Sequence, residues 1–157
     1  MHRFAILSAA IAIAACAKTP TTATATFEPK SGTQVTGTAT FDETNGSTTI
    51  TVAVKSLTPG KKHAVAIHEH GDCSGANAAA VGDRIQPGGD HDAGLLGEIT
   101  AGADGTGALK VSSGKLTVKP GDASVIGKSI VISSDPPNPG SLVTFGIISC
   151  GVIEAAK

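Results

Sequence analysis

Two histidines near the middle of the chain are spaced for metal chelation. His68 and His70 lie two residues apart in a segment that alternates like a strand, and side chains at i and i+2 of a strand share a face. Residues 90–92 read Asp-His-Asp in a loop that must fold back near this strand. Imidazoles with carboxylates suit zinc or copper, so His68, His70 and His91 are the candidate metal ligands. The alternative is that the pair lies on a loop-covered face without a metal and that residues 90–92 are solvated loop.

The segments that would position these histidines alternate apolar and polar residues at period two, which predicts strands. They are residues 35–41, 49–54, 62–70, 97–101, 108–111, 129–132 and 145–153. Asn45 and Gly46 form a hairpin signal between the first two, whereas residues 71–97 lack alternation and predict one long loop. About eight short strands with such turns predict an antiparallel β-sandwich or barrel in a single domain.

Composition excludes several classes of protein. The chain has 157 residues and a formal charge of −1, which argues against a strongly basic nucleic-acid binder. Aromatic residues make up 3% of the chain, with no Trp and no Tyr, so a stacking platform for single-stranded nucleic acid is not expected. We therefore expect no nucleic-acid partner.

The first residues predict export and lipid anchoring. Residues 1–15 combine a positive start with a short apolar run, as a signal peptide does. Residues 13–16 read Ile-Ala-Ala-Cys, which resembles the bacterial lipobox, so we expect cleavage before Cys16 and a membrane-inserted lipid on its thiol. An ordinary signal peptide that contains a cysteine is the alternative. Residues 16–26 would form a polar tether and residues 27–157 the domain, held in the bacterial cell envelope and facing the periplasm or exterior.

Four blocks of the chain resemble the copper/zinc superoxide dismutase family. Residues 63–73 read HAVAIHEHGDC, which is similar to the family's H-G-F-H-V-H-E-x-G-D-C. The other blocks are residues 94–105, 125–132 and 149–153. The resemblance implies an all-β fold, an eight-stranded antiparallel Greek-key β-barrel, and a disulfide between Cys73 and Cys150. It also implies that His63 is a hydrogen-bonded framework residue.

The same resemblance predicts that most of the family's metal ligands are missing. The family holds copper and zinc with six histidines and one aspartate, and residues 16–157 contain four histidines. In the gap-free alignment, only His68 keeps its ligand among the seven positions; one falls in a shortened stretch, and the other five carry Ala66, Arg84, Asp92, Leu95 and Ser133. A two-residue register gap would instead place His68 and His70 on the family's copper pair, because such a shift keeps the face. Ile147 replaces the arginine that guides superoxide. We therefore expect little or no dismutase activity.

Three functions remain open at this point. The first is a non-catalytic, lipid-anchored relative of the dismutases that acts as a binding or structural module. This function requires no cofactor. The second is a copper- or zinc-binding lipoprotein that uses His68, His70 and His91. The third is an active copper-dependent dismutase with an atypical ligand set. The sequence identifies no protein partner and no oligomeric state.

Overall fold

The computed structural model describes residues 21–134 and 146–156, and it confirms the all-β fold. Its nine strands are β1 (Thr22–Pro29), β2 (Thr36–Thr44), β3 (Ser47–Lys55), β4 (Lys62–His68), β5 (Leu95–Thr100), β6 (Gly107–Ser113), β7 (Ser129–Ser133), β8 (Ile147–Val152) and β9 (Glu154–Ala155). Two 3₁₀ turns, Ala79–Val81 and Pro87–Gly89, lie in the connection from β4 to β5. Within these described ranges, no helix is long and apolar enough to cross a membrane. Cys16 and the predicted signal segment lie outside them.

The strands form a nearly closed antiparallel barrel. Their order is β5-β4-β7-β8-β1-β2-β3-β6, with the short β9 paired to β1. Strands β3 and β4 follow each other in the chain but are not neighbours in the sheet, and the same holds for β6 and β7, so the chain crosses over twice. Strands β5 and β6 stand at the two ends of this order and contact each other through side chains. A Cβ placed on Gly107 of β6 would lie only 2.3 Å from Cγ2 of Ile99 in β5. The predicted eight-stranded barrel is therefore confirmed, with β9 as a two-residue addition.

The hairpin between β2 and β3 follows directly from its sequence. Asn45 and Gly46 have φ values of 52° and 78°, as a type I′ turn requires at both central positions. This turn sets the register that pairs Phe41 with Ile50. Alternate residues of β3, including Ile50 and Val52, then point into the barrel and are fully buried.

The predicted tether over residues 16–26 is too long. Thr22–Pro29 forms β1, which pairs with β2 from Thr22↔Asp42 to Phe27↔Gly37. Ala23, Ala25 and Phe27 are 1–3% exposed in the core. The Thr-Ala alternation resembles a polar linker in mean hydropathy, but its period of two places the small alanines on the buried face.

The barrel has two cores. The larger fills the barrel interior with side chains from strands across the sheet, among them Phe27 of β1, Phe41 of β2 and Ile130 of β7. A second, smaller cluster lies outside the sheet, where Ala66, Val131 and Cys150 stand side by side on β4, β7 and β8. We call this outer surface of β4, β7 and β8 the covered face, because residues of the β4–β5 connection pack over it. The outer surface of β1, β2, β3 and β6 is the bare face.

Candidate functional site

The β4–β5 connection returns to β4 and pairs with the end of that strand. The backbone of His68 bridges that of Arg84. The amide of Glu69 donates to the carbonyl of Asp83 at 2.9 Å, and the amide of His70 donates to the carbonyl of Val81 at 2.8 Å. The connection thus forms a short antiparallel ladder with residues 68–70, although only residues 62–68 count as β4.

The same ladder orients both imidazoles. Nδ1 of His68 lies 2.8 Å from the carbonyl oxygen of Gly82, and Nδ1 of His70 lies 3.2 Å from that of Ala80. A carbonyl oxygen can only accept, so each ring donates its Nδ1–H. The lone pair of each ring is therefore on Nε2.

Gly82 is a part of this arrangement that the sequence analysis missed. Its φ of 74° lies in the left-handed region, which favours glycine. A Cβ there would lie 2.9 Å from Nδ1 and 3.0 Å from Cε1 of His70, closer than real Cβ atoms approach. Gly82 therefore both accepts the bond from His68 and leaves room for the ring of His70. A glycine in a loop without periodicity gives no signal for either role.

His68 is held in its neutral form. Burial lowers the pKa of its imidazole, and the nearby Arg84 guanidinium acts in the same direction. The hydrogen bond to Gly82 and the carboxylates of Asp83 and Glu69 raise the pKa by less. Together these effects favour the neutral imidazole of His68.

His91 belongs to a different environment. It is exposed in the loop after the Pro87–Gly89 turn, beside Asp90, whose carboxylate accepts from the amide of Asp92 at 3.0 Å and forms an ion pair with Lys115. The Lys115 ammonium holds the pKa of Asp90 below its usual range. Among residues 21–134 and 146–156, no group of three or more His, Cys, Asp and Glu side chains could hold a metal ion. The structure therefore does not gather His68, His70 and His91 into one metal site.

His63 has the surroundings of a framework residue. It is 3% exposed, and its Nδ1 lies 3.2 Å from the carbonyl oxygen of Ser133. This contact links β4 to the end of β7. Within residues 21–134 and 146–156, its buried Nε2 has no hydrogen-bond partner.

The covered face is apolar at its centre. Ala66 is 6% exposed and packs in one cluster with Val131 and Cys150 of the sheet and with Ala78 and Val81 of the connection. Ala66 stands where the dismutase pattern has its first copper histidine. A methyl group in an apolar cluster cannot bind a metal, so this position has become part of a packed core.

The remaining ligand positions fit a copper and zinc pair no better. Arg84 carries a positive charge next to His68, where the pattern has the histidine shared by both metals. Leu95 packs at the edge of the apolar cluster. Ser133 ends β7, and its carbonyl oxygen is engaged with His63. The residues present therefore do not fit the two-metal centre.

The predicted disulfide is confirmed. Cys73 and Cys150 are bonded, with their Cα atoms 5.7 Å apart and 77 residues apart in the chain. Cys73 lies in the β4–β5 connection, and Cys150 is fully buried in β8. The bond therefore fastens the connection that carries Ala80 and Gly82 to the sheet beneath it.

Comparison with known proteins agrees with this fold. The family model for copper/zinc superoxide dismutase matches residues 35–153. A Cu-Zn superoxide dismutase of Onchocerca volvulus is 37% identical over 103 residues, which are 59% of this chain and 63% of that protein. An extracellular Cu-Zn superoxide dismutase of Brugia pahangi is 34% identical over 128 residues, which are 68% of this chain and 63% of that protein. The chain thus spans somewhat less than two thirds of the length of each of these relatives.

Proposed function

The chain belongs to the copper/zinc superoxide dismutase family, and from that premise we propose that it acts without dismutase activity, as a binding or structural module of the bacterial envelope. The observation that carries this proposal is the apolar cluster around Ala66 on the covered face. Dismutation needs a metal that alternates between two oxidation states, held by several imidazoles at fixed angles. At the positions that matched the family's ligands, His68 alone offers an imidazole.

Electrostatics supports the same proposal. A small anion such as superoxide reaches its site faster when a positive charge lies beside the metal. Ile147 stands at the position of the guiding arginine, and it is partly buried against the apolar cluster. The positive charge that is present, on Arg84, lies instead beside the remaining imidazole, where it opposes a bound cation.

The test is superoxide removal by the full chain. The purified protein is incubated with copper and zinc, freed of unbound metal, and compared with the same protein kept metal-free by a chelator. We expect equal rates of superoxide decay. Rapid decay that depends on bound copper and disappears in His68→Ala would overturn the proposal and favour an active copper-dependent dismutase with an atypical ligand set.

The anchor is the second part of the proposal. We expect Cys16 to carry lipid, so that the domain is held at the membrane and faces the periplasm or exterior. In a bacterial host, the wild-type chain should incorporate a labelled fatty acid and sediment with membranes, and Cys16→Ser should do neither. Cys73→Ser and Cys150→Ser together form the matched control, which should keep the label. A labelled Cys16→Ser chain would contradict lipidation at this residue.

Metal capture is the second candidate function, and the hydrogen bonds of His68 and His70 favour it. The site predicted from the sequence also includes His91, which lies in the separate loop that Asp90 and Lys115 hold. Metal analysis separates the candidates after reconstitution of the purified protein. Absence of bound copper and zinc removes both metal-dependent functions, whereas bound copper without superoxide consumption leaves metal capture alone.

A further inference from the structure

We propose that positively charged thiols reach and reduce the Cys73–Cys150 bond through a groove between β1 and β8, in preference to anionic thiols. Reduction by this route would release the start of the β4–β5 connection from β8. The inference goes beyond the proposed function, because neither a binding module nor metal capture requires this bond to be reduced.

The groove follows from a gap in one strand pair. β1 pairs with β8 at Glu28↔Cys150 and with β9 at Thr24↔Glu154. In the described part of the chain, no strand pairing joins residues 25–27 to β8 or β9. A cavity of about 290 Å³ lies along this gap, and its lining includes both cysteines. The disulfide is therefore reached from solvent through this cavity.

The two cysteines differ in burial, which selects the sulfur that is attacked. Cys150 is 0% exposed, whereas Cys73 is only partly buried. We therefore expect an entering thiolate to attack Sγ of Cys73. A bond forms between the two sulfurs, the Cys73–Cys150 bond breaks, and its electron pair leaves on Cys150, which takes a proton from water.

A second thiol completes the reduction. Its thiolate attacks the sulfur of the first reagent, Cys73 leaves as a thiolate and is protonated, and the two reagent molecules leave joined as a disulfide. The protein gains two electrons, and two thiols are oxidised. No further reactant is needed.

The lining of the groove is negatively charged. Among the described residues that form it, Glu28 and Glu154 are the charged ones, and both are carboxylates. Glu28 pairs with Lys30 at 3.7 Å, which offsets part of the charge. Asp72 adds a third carboxylate, because it precedes Cys73 directly in the chain and is exposed.

These carboxylates discriminate between reagents by charge. A thiolate is an anion and is repelled, whereas an ammonium group on the same small molecule is attracted. One unit charge roughly 8 Å away in water changes a rate by about 2-fold. The effect extends over about 30 Å at an ionic strength of 0.01 M and about 3 Å at 1 M. A cationic thiol therefore has an advantage at low salt that high salt removes.

The test is reduction of the full, disulfide-bonded chain by small thiols of different charge. They are cysteamine, which carries an ammonium group, neutral 2-mercaptoethanol, and 3-mercaptopropionate, which carries a carboxylate. Rate constants are expressed per thiolate. From high to low salt, the ratio of the cysteamine rate to the 3-mercaptopropionate rate should rise by about 5-fold, with 2-mercaptoethanol between them. Comparing one pair of thiols at two salt concentrations cancels their different intrinsic reactivities.

Substitutions assign the preference to the groove. Glu154→Gln and Glu28→Gln should each lower the low-salt ratio by about 2-fold, and the double variant should lower it further. Glu98→Gln is the matched control, since it removes one exposed carboxylate from β5 and should leave the ratio unchanged. Circular dichroism and the melting temperature show whether each variant is folded.

Peptide mapping after an acid quench locates the first bond that forms. We expect the mixed disulfide on Cys73. A mixed disulfide on Cys150, or the same ratio in the wild type and the double variant, would overturn the proposal. So would rates that level off at one value for all the thiols, because the bond would then be reached only after unfolding. Superoxide decay and bound metal enter none of these measurements, so the groove and the proposed function can fail independently.

Discussion

The two outer faces of the barrel differ in what lies over them. On the bare face, Thr24, Thr40 and Thr51 stand in register across β1, β2 and β3 and are all exposed. On the covered face, Ala66, Val131 and Cys150 occupy a similar row and are all buried. The strands beneath differ accordingly: β3 alternates between buried and exposed residues, whereas β4 is buried at five consecutive positions. The β4–β5 connection therefore excludes solvent from the covered face and makes it part of a core.

Each of the two long connections is bonded to one strand of the barrel, one to β8 under the covered face and the other to β2 under the bare face, and the two bonds differ in chemistry. The β4–β5 connection is bonded to β8 by Cys73 and Cys150. Residues 114–128, between β6 and β7, are fastened to β2 by the carboxylate of Glu43, which accepts from Val118 and Thr117 and pairs with Lys119. One fastening is sensitive to reductant and the other to acid. The two halves can therefore be loosened separately.

Removing the disulfide should have the largest effect. The double variant Cys73→Ser/Cys150→Ser opens a loop of 77 residues, for which chain entropy predicts a loss of about 4 kcal/mol in the free energy of unfolding. Urea denaturation followed by circular dichroism measures it. Dithiothreitol should shift the wild-type midpoint towards that of the variant and leave the variant unchanged. A loss below about 1 kcal/mol would show that the connection is held by its packing and hydrogen bonds alone.

The covered face itself can be tested by a matched pair of substitutions. Val131→Ala on the covered face and Thr51→Ala on the bare face both replace a β-branched residue in a strand, so both lose the same propensity of up to about 1 kcal/mol. Val131→Ala also leaves a gap in the apolar cluster, since Val131 is fully buried. We expect losses in the free energy of unfolding of about 2–3 kcal/mol for Val131→Ala and below about 1 kcal/mol for Thr51→Ala.

Urea denaturation of both variants at one pH measures the difference. Equal losses would mean that residues 71–86 do not exclude water from Val131. The distinction between the two faces would then be wrong, because the covered face would be a solvated surface like the bare one.

Local patterns predicted most of the barrel. The hairpin at Asn45 and Gly46 and the alternation of Ile50, Val52 and Val54 each depend on neighbours within a few residues, and the structure shows both. The first five residues of β1, 22–26, resemble a tether because Ala23 and Ala25 are too small to raise the hydropathy of a Thr-rich segment. Their burial depends on Phe41 and the rest of the distant core, which no local window contains.

The candidate site was predictable in residue type but not in arrangement. The spacing of His68 and His70 placed them on one face of the chain, and the resemblance to the dismutases paired Cys73 with Cys150. The ring orientations depend on the carbonyls of Ala80 and Gly82, and backbone carbonyls leave no mark in a sequence. Only its residue type and an expected loop position made His91 a candidate ligand, whereas its loop is held by the ion pair between Asp90 and Lys115.

Acid should loosen the bare half by a smaller amount. The Glu43 side chain is 5% exposed, and its bonds from Lys119 and Thr117 lower its pKa from 4.5 to about 2. A carboxylate with a lowered folded pKa stabilises the fold fully above its unfolded pKa. That contribution is therefore present at pH 7 and is lost as the pH falls from 4.5 towards 2. We expect Glu43→Gln to cost about 1–2 kcal/mol at pH 7, because Lys119 is half exposed and solvent screens its charge.

The pH dependence of stability distinguishes the buried Glu43 carboxylate from an exposed surface ion pair. The stability difference between wild type and Glu43→Gln should shrink as the pH falls below 4.5, in urea denaturation at steps of pH from 7 to 2.5. Glu98→Gln is the control, since Glu98 and Lys62 are both well exposed at 3.4 Å, and its cost should stay below about 0.5 kcal/mol. A Glu43→Gln difference that is constant over this range would show that Glu43 acts through packing rather than charge. Acid would then loosen neither connection, and reductant alone would distinguish the two halves of the barrel.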